Sequence, residues 1–196
     1  GRFNLPTAVK IANELAPFRP MFFEEPTPPD SLEALKAVKD KSPVAISAGE
    51  RLYSRWDYRK LFDMRAADYI QPDISHAGGI SELKKIAAEA ETRYIPFAPH
   101  NPSGPVSNAA ILQLACTIPN FCIHEIMLTD GSFRKQVSTE EVHYEDGHIL
   151  IPEKPGLGID ELNEELIAEH MHEKYPEIWA PTTEWDKEWA NDREWS

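Results

Sequence analysis

Five short apolar runs in this chain each end on an ionisable residue: Glu24, Glu50, Asp73, His100 and Glu125. The steps between these residues are 26, 23, 27 and 25 positions. Between the runs lie stretches whose apolar residues recur at helical spacing. A strand followed by a helix, repeated at this interval, implies βαβ units and a parallel sheet. In a (β/α)₈ barrel the C-terminal ends of the strands form the active-site face, whatever the chemistry. A doubly wound sheet would gather its site at one switch point instead. Five consecutive ends carrying acids or a histidine favour the barrel.

The local signals agree. "LPTAVKIANELAPF" places Ala8, Ile11, Ala12 and Leu15 on one helical face, with Pro6 suited to a first turn. "MFF" is the first apolar run. Asp30 is the expected cap of the next helix, with Glu33 three residues on and Leu32, Leu35 and Val38 on one face. "PVAISAGE", "ADYIQPD", "YIPFAPH" and "NFCIHE" read as strands. "SRWDYRKLFDM", "ISELKKIAAEAETR" and "VSNAAILQLACTI" read as the helices between them. Pro96 blurs the limits of the fourth strand, since proline cannot donate to a ladder. The fold expected is α/β: the C-terminal part of a (β/α)₈ barrel, about its last five strands, then a hairpin, a helix and a Trp-rich tail. Residues 1–130 would form the partial barrel with the catalytic face. Residues 131–196 would pack on the barrel, on a capping region or on a neighbouring subunit. In that segment Asp146-Gly147 is a turn signal between "VHY" and "HILI". A helix is expected over roughly 160–174. The tail carries Trp179, Trp185, Trp189 and Trp195 among many charges, as an interface anchor would.

A formal charge of −13 argues against nucleic acid and anionic membranes as partners, because both call for basic surfaces. No apolar run reaches the roughly 20 residues of a membrane span. Cys116 and Cys122 are too few for a disulfide framework and lack CxxC spacing, so two buried free thiols and a reducing cytoplasm are expected.

Neighbouring residues on a strand point to opposite faces, so Glu24 and Glu25 cannot share one task. Parity alone leaves open which of them faces the barrel lumen. "FFEEP", "SAGERLYSR", "IQPDISHAGGI" and "APHNPSGP", in this order and at one per βα unit, resemble the enolase superfamily. The likeness is to the mandelate racemase branch, and within it to acid-sugar dehydratases of the galactonate type. It extends to about "KPGLGID". The resemblance, with the interval to Glu50, favours Glu24 as the lumen-facing acid and leaves Glu25 a supporting one.

The resemblance implies that Glu24 and Glu50 are two of three carboxylate ligands of Mg²⁺, a hard cation suited to oxygen donors. It makes His100 the general base and Asp73 the carboxylate that fixes its tautomer. Glu125 would hydrogen-bond the substrate carboxylate and must carry a proton to donate there. His76 either touches substrate or caps the following helix. Arg51 would pair with a neighbouring acid, Gly78-Gly79 would shape a turn, and His124 would face away from the lumen. The implied reaction is dehydration of a galactonate-like aldonate to a 2-keto-3-deoxy acid, through α-proton abstraction and a stabilised enediolate.

The family places its third metal ligand and second acid/base just upstream of the segment matching Gly1. The expectation is therefore that an N-terminal portion of the same protein, or another chain, supplies them, and that these residues alone do not catalyse. A homo-oligomer is expected, because open parallel edges invite association. Two other readings stand beside the dehydratase: a racemase or epimerase of a 2-hydroxy acid, and a non-catalytic barrel scaffold.

Overall fold

The computed structural model describes residues 1–127, 136–138 and 144–171. The Trp-rich tail lies outside the described residues. Helix α1 (Leu5–Leu15) opens on Asn4, whose side chain accepts from the Thr7 N–H, and Pro6 lies in its first turn. Strand β1 (Phe23–Glu24) follows, then α2 (Leu32–Lys39), β2 (Ile46–Ala48), α3 (Arg55–Met64) and β3 (Tyr69–Ile70). Helices α4 (Gly79–Glu91) and α5 (Pro105–Ala115) complete the alternation. The three strands pair in parallel in the order β1-β2-β3.

Beyond β3 the sheet continues through single parallel bridges, Ile70 to Phe97 and Phe97 to Phe121. The fourth and fifth expected strands are thus reduced to one paired residue each. Pro96 shows why the fourth is so short. Its carbonyl accepts from the Ile70 N–H and the Ala98 N–H returns to Ile70, but proline has no N–H for the preceding rung.

Register sorts the two faces. Phe23 pairs with Ile46, and Ala48 with Ile70, so these residues share the face that packs under the helices. There they join Leu35, Val38, Tyr58, Phe62, Leu83, Ile86 and Phe97 in one core. Glu24 pairs with Ser47, and Ser47 with Tyr69, so these three share the opposite face. Phe22 meets Tyr69 at a tilt on that side, 5.4 Å between ring centres.

Two local expectations are corrected. Ser31, not Asp30, caps α2: its Oγ accepts from the Ala34 N–H at 3.1 Å and donates to Glu33 at 3.3 Å. The two residues differ by one place, and the hydroxyl is at the end that reaches the free N–H groups. The cysteines are free, but both are exposed rather than buried. Cys116 ends α5 with its thiol turned back to the Leu112 carbonyl.

After the barrel segment, β4 (Tyr144–Glu145) and β5 (His148–Ile149) form an antiparallel hairpin. Asp146 and Gly147 between them both have positive φ, 49° and 77°, as a two-residue hairpin turn requires. Helix α6 (Glu164–Glu169) is shorter than the expected 160–174, of which the residues from 172 lie outside the described set. No described helix is long and apolar enough to cross a membrane.

Candidate active site

The ionisable residues sit at or just past the ends of their strands. Glu24 closes β1, Glu50 follows β2 by two residues, and Asp73 follows β3 by three. His100 and Glu125 stand three and four residues beyond the bridged Phe97 and Phe121. The short strands therefore hand over to loops before the polar groups begin, and those loops converge.

His100 is the meeting point. Its Nδ1 lies 2.8 Å from Asp73 Oδ2, and its Nε2 lies 3.1 Å from Glu50 Oε2. Asp73 is wholly buried, and its other oxygen accepts from the Ser75 N–H at 2.7 Å. A buried carboxylate on Nδ1 fixes the imidazole tautomer and leaves Nε2 to act outward. His76 lies farther off, with Nδ1 3.7 Å from the same Asp73 oxygen and its ring edge-on to Tyr53 at 6.3 Å.

Glu24 lies within hydrogen-bonding reach of Gln71 and Glu50. Burial chiefly raises its pKa above the ordinary carboxylate value; the Gln71 hydrogen bond opposes this, and the charges of Glu125 and Glu50 add to it. Carboxylates gathered this way repel one another, and a divalent cation with oxygen preference would relieve them. Among the described residues no group of three His, Cys, Asp or Glu side chains converges closely enough to hold a metal alone. Glu24 and Glu50 place carboxylate oxygens side by side, the donor type a hard cation takes.

Glu25 departs from its neighbour as alternation demands. It is buried, adopts a left-handed φ of 35°, and pairs through Oε2 with Arg51 Nε at 3.2 Å. The same guanidinium nitrogen is 3.1 Å from Glu50 Oε1. Burial, then the Glu50 charge, raises the Glu25 pKa, while Arg51 opposes the shift. Arg51 therefore ties the buried acid to the one at the site. Gly49, beside Glu50, has φ 141° and no room for a side chain: an added Cβ would fall 2.6 Å from the Tyr58 hydroxyl.

Glu125 Oε2 accepts from the Asn101 N–H at 2.9 Å, which brings the last strand end to the residue after His100. His124 points the other way, against α5, with Nε2 2.5 Å from Asn108 Oδ1. Burial lowers the His124 pKa from 6.5 to about 4.

Gln71 and Asn101 were not anticipated as site residues. The signal for Gln71 was available, because it stands two residues before Asp73 on the same strand parity as Tyr69. Asn101 acts through its backbone, for which residue type gives no cue.

Residues 1–166 match the family model described as enolase C-terminal domain-like. The chain belongs to that family. As an enolase C-terminal domain-like chain it forms part of a (β/α)₈ barrel and resembles proteins of the mandelate racemase branch. It is 38% identical over 175 residues to the D-galactonate dehydratase of Pectobacterium atrosepticum, covering 86% of this chain and 46% of that protein. It is 36% identical over 179 residues to the D-galactonate dehydratase of Ralstonia pickettii, covering 88% and 47%. A solved mandelate racemase/muconate lactonizing enzyme-like protein from Rubrobacter xylanophilus superposes with a TM-score of 0.82 at 42% identity, covering 90% of this chain and 45% of that one. A member of the enolase superfamily from Salmonella Typhimurium superposes with a TM-score of 0.78 at 33% identity, covering 84% and 42%. The chain spans about half the length of the curated relatives it matches.

Proposed function

We propose that this chain carries the base and part of the metal site of a Mg²⁺-dependent acid-sugar dehydratase acting on a galactonate-like aldonate. The observation that carries the proposal is the His100 imidazole. It is held at Nδ1 by a buried carboxylate and directs Nε2 toward Glu50. The similarity to two D-galactonate dehydratases supports the substrate class.

Mg²⁺ held by Glu24, Glu50 and a ligand from outside this chain would supply positive charge against the substrate carboxylate. His100 Nε2 takes the proton from the carbon next to that carboxylate. Asp73 keeps the other ring nitrogen protonated and stabilises the imidazolium that forms. Glu125, anchored by the Asn101 N–H through one oxygen, offers the other to the substrate carboxylate. A hydrogen bond donated at that position strengthens as negative charge grows in the enediolate. The 3-hydroxyl then departs as water with a proton from an acid outside this chain, and the enol becomes the 2-keto-3-deoxy acid. His76 and Tyr53 stand at the rim, where the distal end of the substrate would pass.

The test is a screen of the complete protein, with Mg²⁺, against hexonates and pentonates, scoring 2-keto-3-deoxy acid. His100→Asn runs beside it. Turnover of one acid, lost in the variant, establishes the reading. No turnover, with deuterium exchange from solvent at the α-carbon, would move it to an epimerase or racemase. Absence of both, with no Mg²⁺ bound, would favour a non-catalytic barrel.

A further inference from the structure

Helix α5 begins four residues after Asn101 and turns two adjacent polar side chains into the protein. Ser107 Oγ donates to Asn101 Oδ1 at 2.7 Å. Asn108, itself buried at 4% exposure, accepts from His124 Nε2 at 2.5 Å. Asn101 is wholly buried, and its backbone N–H donates to Glu125. These contacts close a circuit: Ser107 to Asn101, Asn101 to Glu125, Glu125 along the chain to His124, His124 to Asn108, and Asn108 along the helix to Ser107. His100 adjoins one arm of the circuit and Glu125 belongs to the other.

Neither residue is there for the helix's sake. Serine and asparagine are weak helix formers, and a buried asparagine costs free energy unless its amide is bonded. The rest of the buried face of α5 is apolar: Ala109, Ile111, Leu112 and Leu114. A polar residue on that face and a half-buried serine beside it, each joined to a residue next to a candidate catalytic group, mark a positional device.

We propose that Ser107 and Asn108 are positioning residues that hold His100 and Glu125 at a set separation, acting through Asn101 and His124. The inference rests on the roles given above to His100 and Glu125. The spacing matters because the base must meet the α-carbon while Glu125 meets the carboxylate bonded to it, and misplacement by about 1 Å can cost about a hundredfold in rate. A rigid helix sets such a distance better than two loops would. His124, half-buried and with its pKa lowered to about 4, adds no charge beside Glu125 at neutral pH.

The experiment uses the complete protein and the variants Ser107→Ala and Ser107→Thr. Ser107 is only half-buried, so the alanine variant is expected to fold, and its thermal midpoint checks this. The expected result is a kcat loss of about tenfold or more in Ser107→Ala, with KM and Mg²⁺ affinity unchanged, and recovery in Ser107→Thr, which keeps the hydroxyl. Unchanged kcat in Ser107→Ala overturns the inference. So does a loss that tracks a fallen thermal midpoint and is not recovered by threonine. If the parent protein turns over no sugar acid, the proposed reaction has failed, and crystal structures of parent and Ser107→Ala decide the clamp separately. Displacement of Glu125 from the Asn101 N–H in the variant supports it; an unmoved Glu125 overturns it.

Discussion

His100 Nε2 lies 3.1 Å from Glu50 Oε2 while its Nδ1 is held by Asp73, so one imidazole joins two carboxylates from two different βα loops. Glu50 also touches Arg51, which reaches the buried Glu25. The candidate base and the candidate metal acids are therefore parts of one connected network. Within it, the Asp73 side should govern proton transfer and the Glu24–Glu50 side should govern the cation.

Asp73→Asn tests the first half. Asparagine keeps the volume but not the charge that stabilises an imidazolium and selects its tautomer. The expected loss in kcat is about 10² to 10⁴, the usual span of general base catalysis, with Mg²⁺ affinity unchanged. Steady-state kinetics and calorimetric titration with Mg²⁺ measure the two quantities separately. A matching loss of Mg²⁺ affinity would show that Asp73 serves the cation instead.

Glu24→Gln tests the second half. The Glu24 pKa is raised, first by burial, so its charged form is disfavoured in the folded protein. A raised folded-state pKa contributes stability below the unfolded value and loses it as pH rises through the folded one. At neutral pH the charge is thus a liability until a cation meets it. The metal-free variant should melt at a higher temperature than the metal-free parent, and Mg²⁺ should no longer raise the midpoint. Thermal melts of both proteins with and without Mg²⁺ give all four values. A variant that melts lower without metal would contradict this account.

Tyr58 supports the same site from below. Its buried hydroxyl donates to the Gly49 carbonyl at 2.6 Å, one residue before Glu50. Tyr58→Phe leaves that carbonyl without its partner, at a cost of about 1 to 3 kcal/mol. Urea denaturation should show this loss, and Mg²⁺ affinity should weaken because Glu50 is less firmly placed. An unfolding free energy equal to the parent's would mean the hydrogen bond contributes nothing net.

The parts of this fold legible in the sequence were those set by periodicity. Alternation along "MFFEE" separated Glu24 from Glu25, and the register of β1 on β2 puts Glu24 beside Ser47, opposite the core face of Phe23. The regular step between ionisable residues located the loops that converge on His100. What escaped was decided at the scale of single atoms. Asp30 and Ser31 both suit a cap, and only the entry angle of the chain picks Ser31. Pro96 signalled a weakened strand but not its reduction to one bridge. Helical spacing predicted α5, yet it could not show that Ser107 and Asn108 reach Asn101 and His124, because those partners come from loops whose path no period describes.

His124 offers a prediction that requires no substrate. Burial lowers its pKa from 6.5 to about 4, so the folded protein holds the ring neutral while the unfolded chain takes up a proton near pH 6.5. Between those values the unfolded state binds more protons, and stability falls as pH falls. The contribution is fully present above about 6.5 and lost progressively toward about 4, to a total of roughly 3 kcal/mol. Other carboxyls titrate in the same window, so the parent's pH profile alone does not isolate the histidine. A His124→Gln variant does, because glutamine can still donate toward Asn108 and does not titrate. Denaturant unfolding at pH 7 and pH 5 should give a smaller difference for the variant than for the parent. Equal differences would mean that His124 protonates without disturbing the Asn108 contact, and the picture of a neutral ring held against α5 would have to be given up.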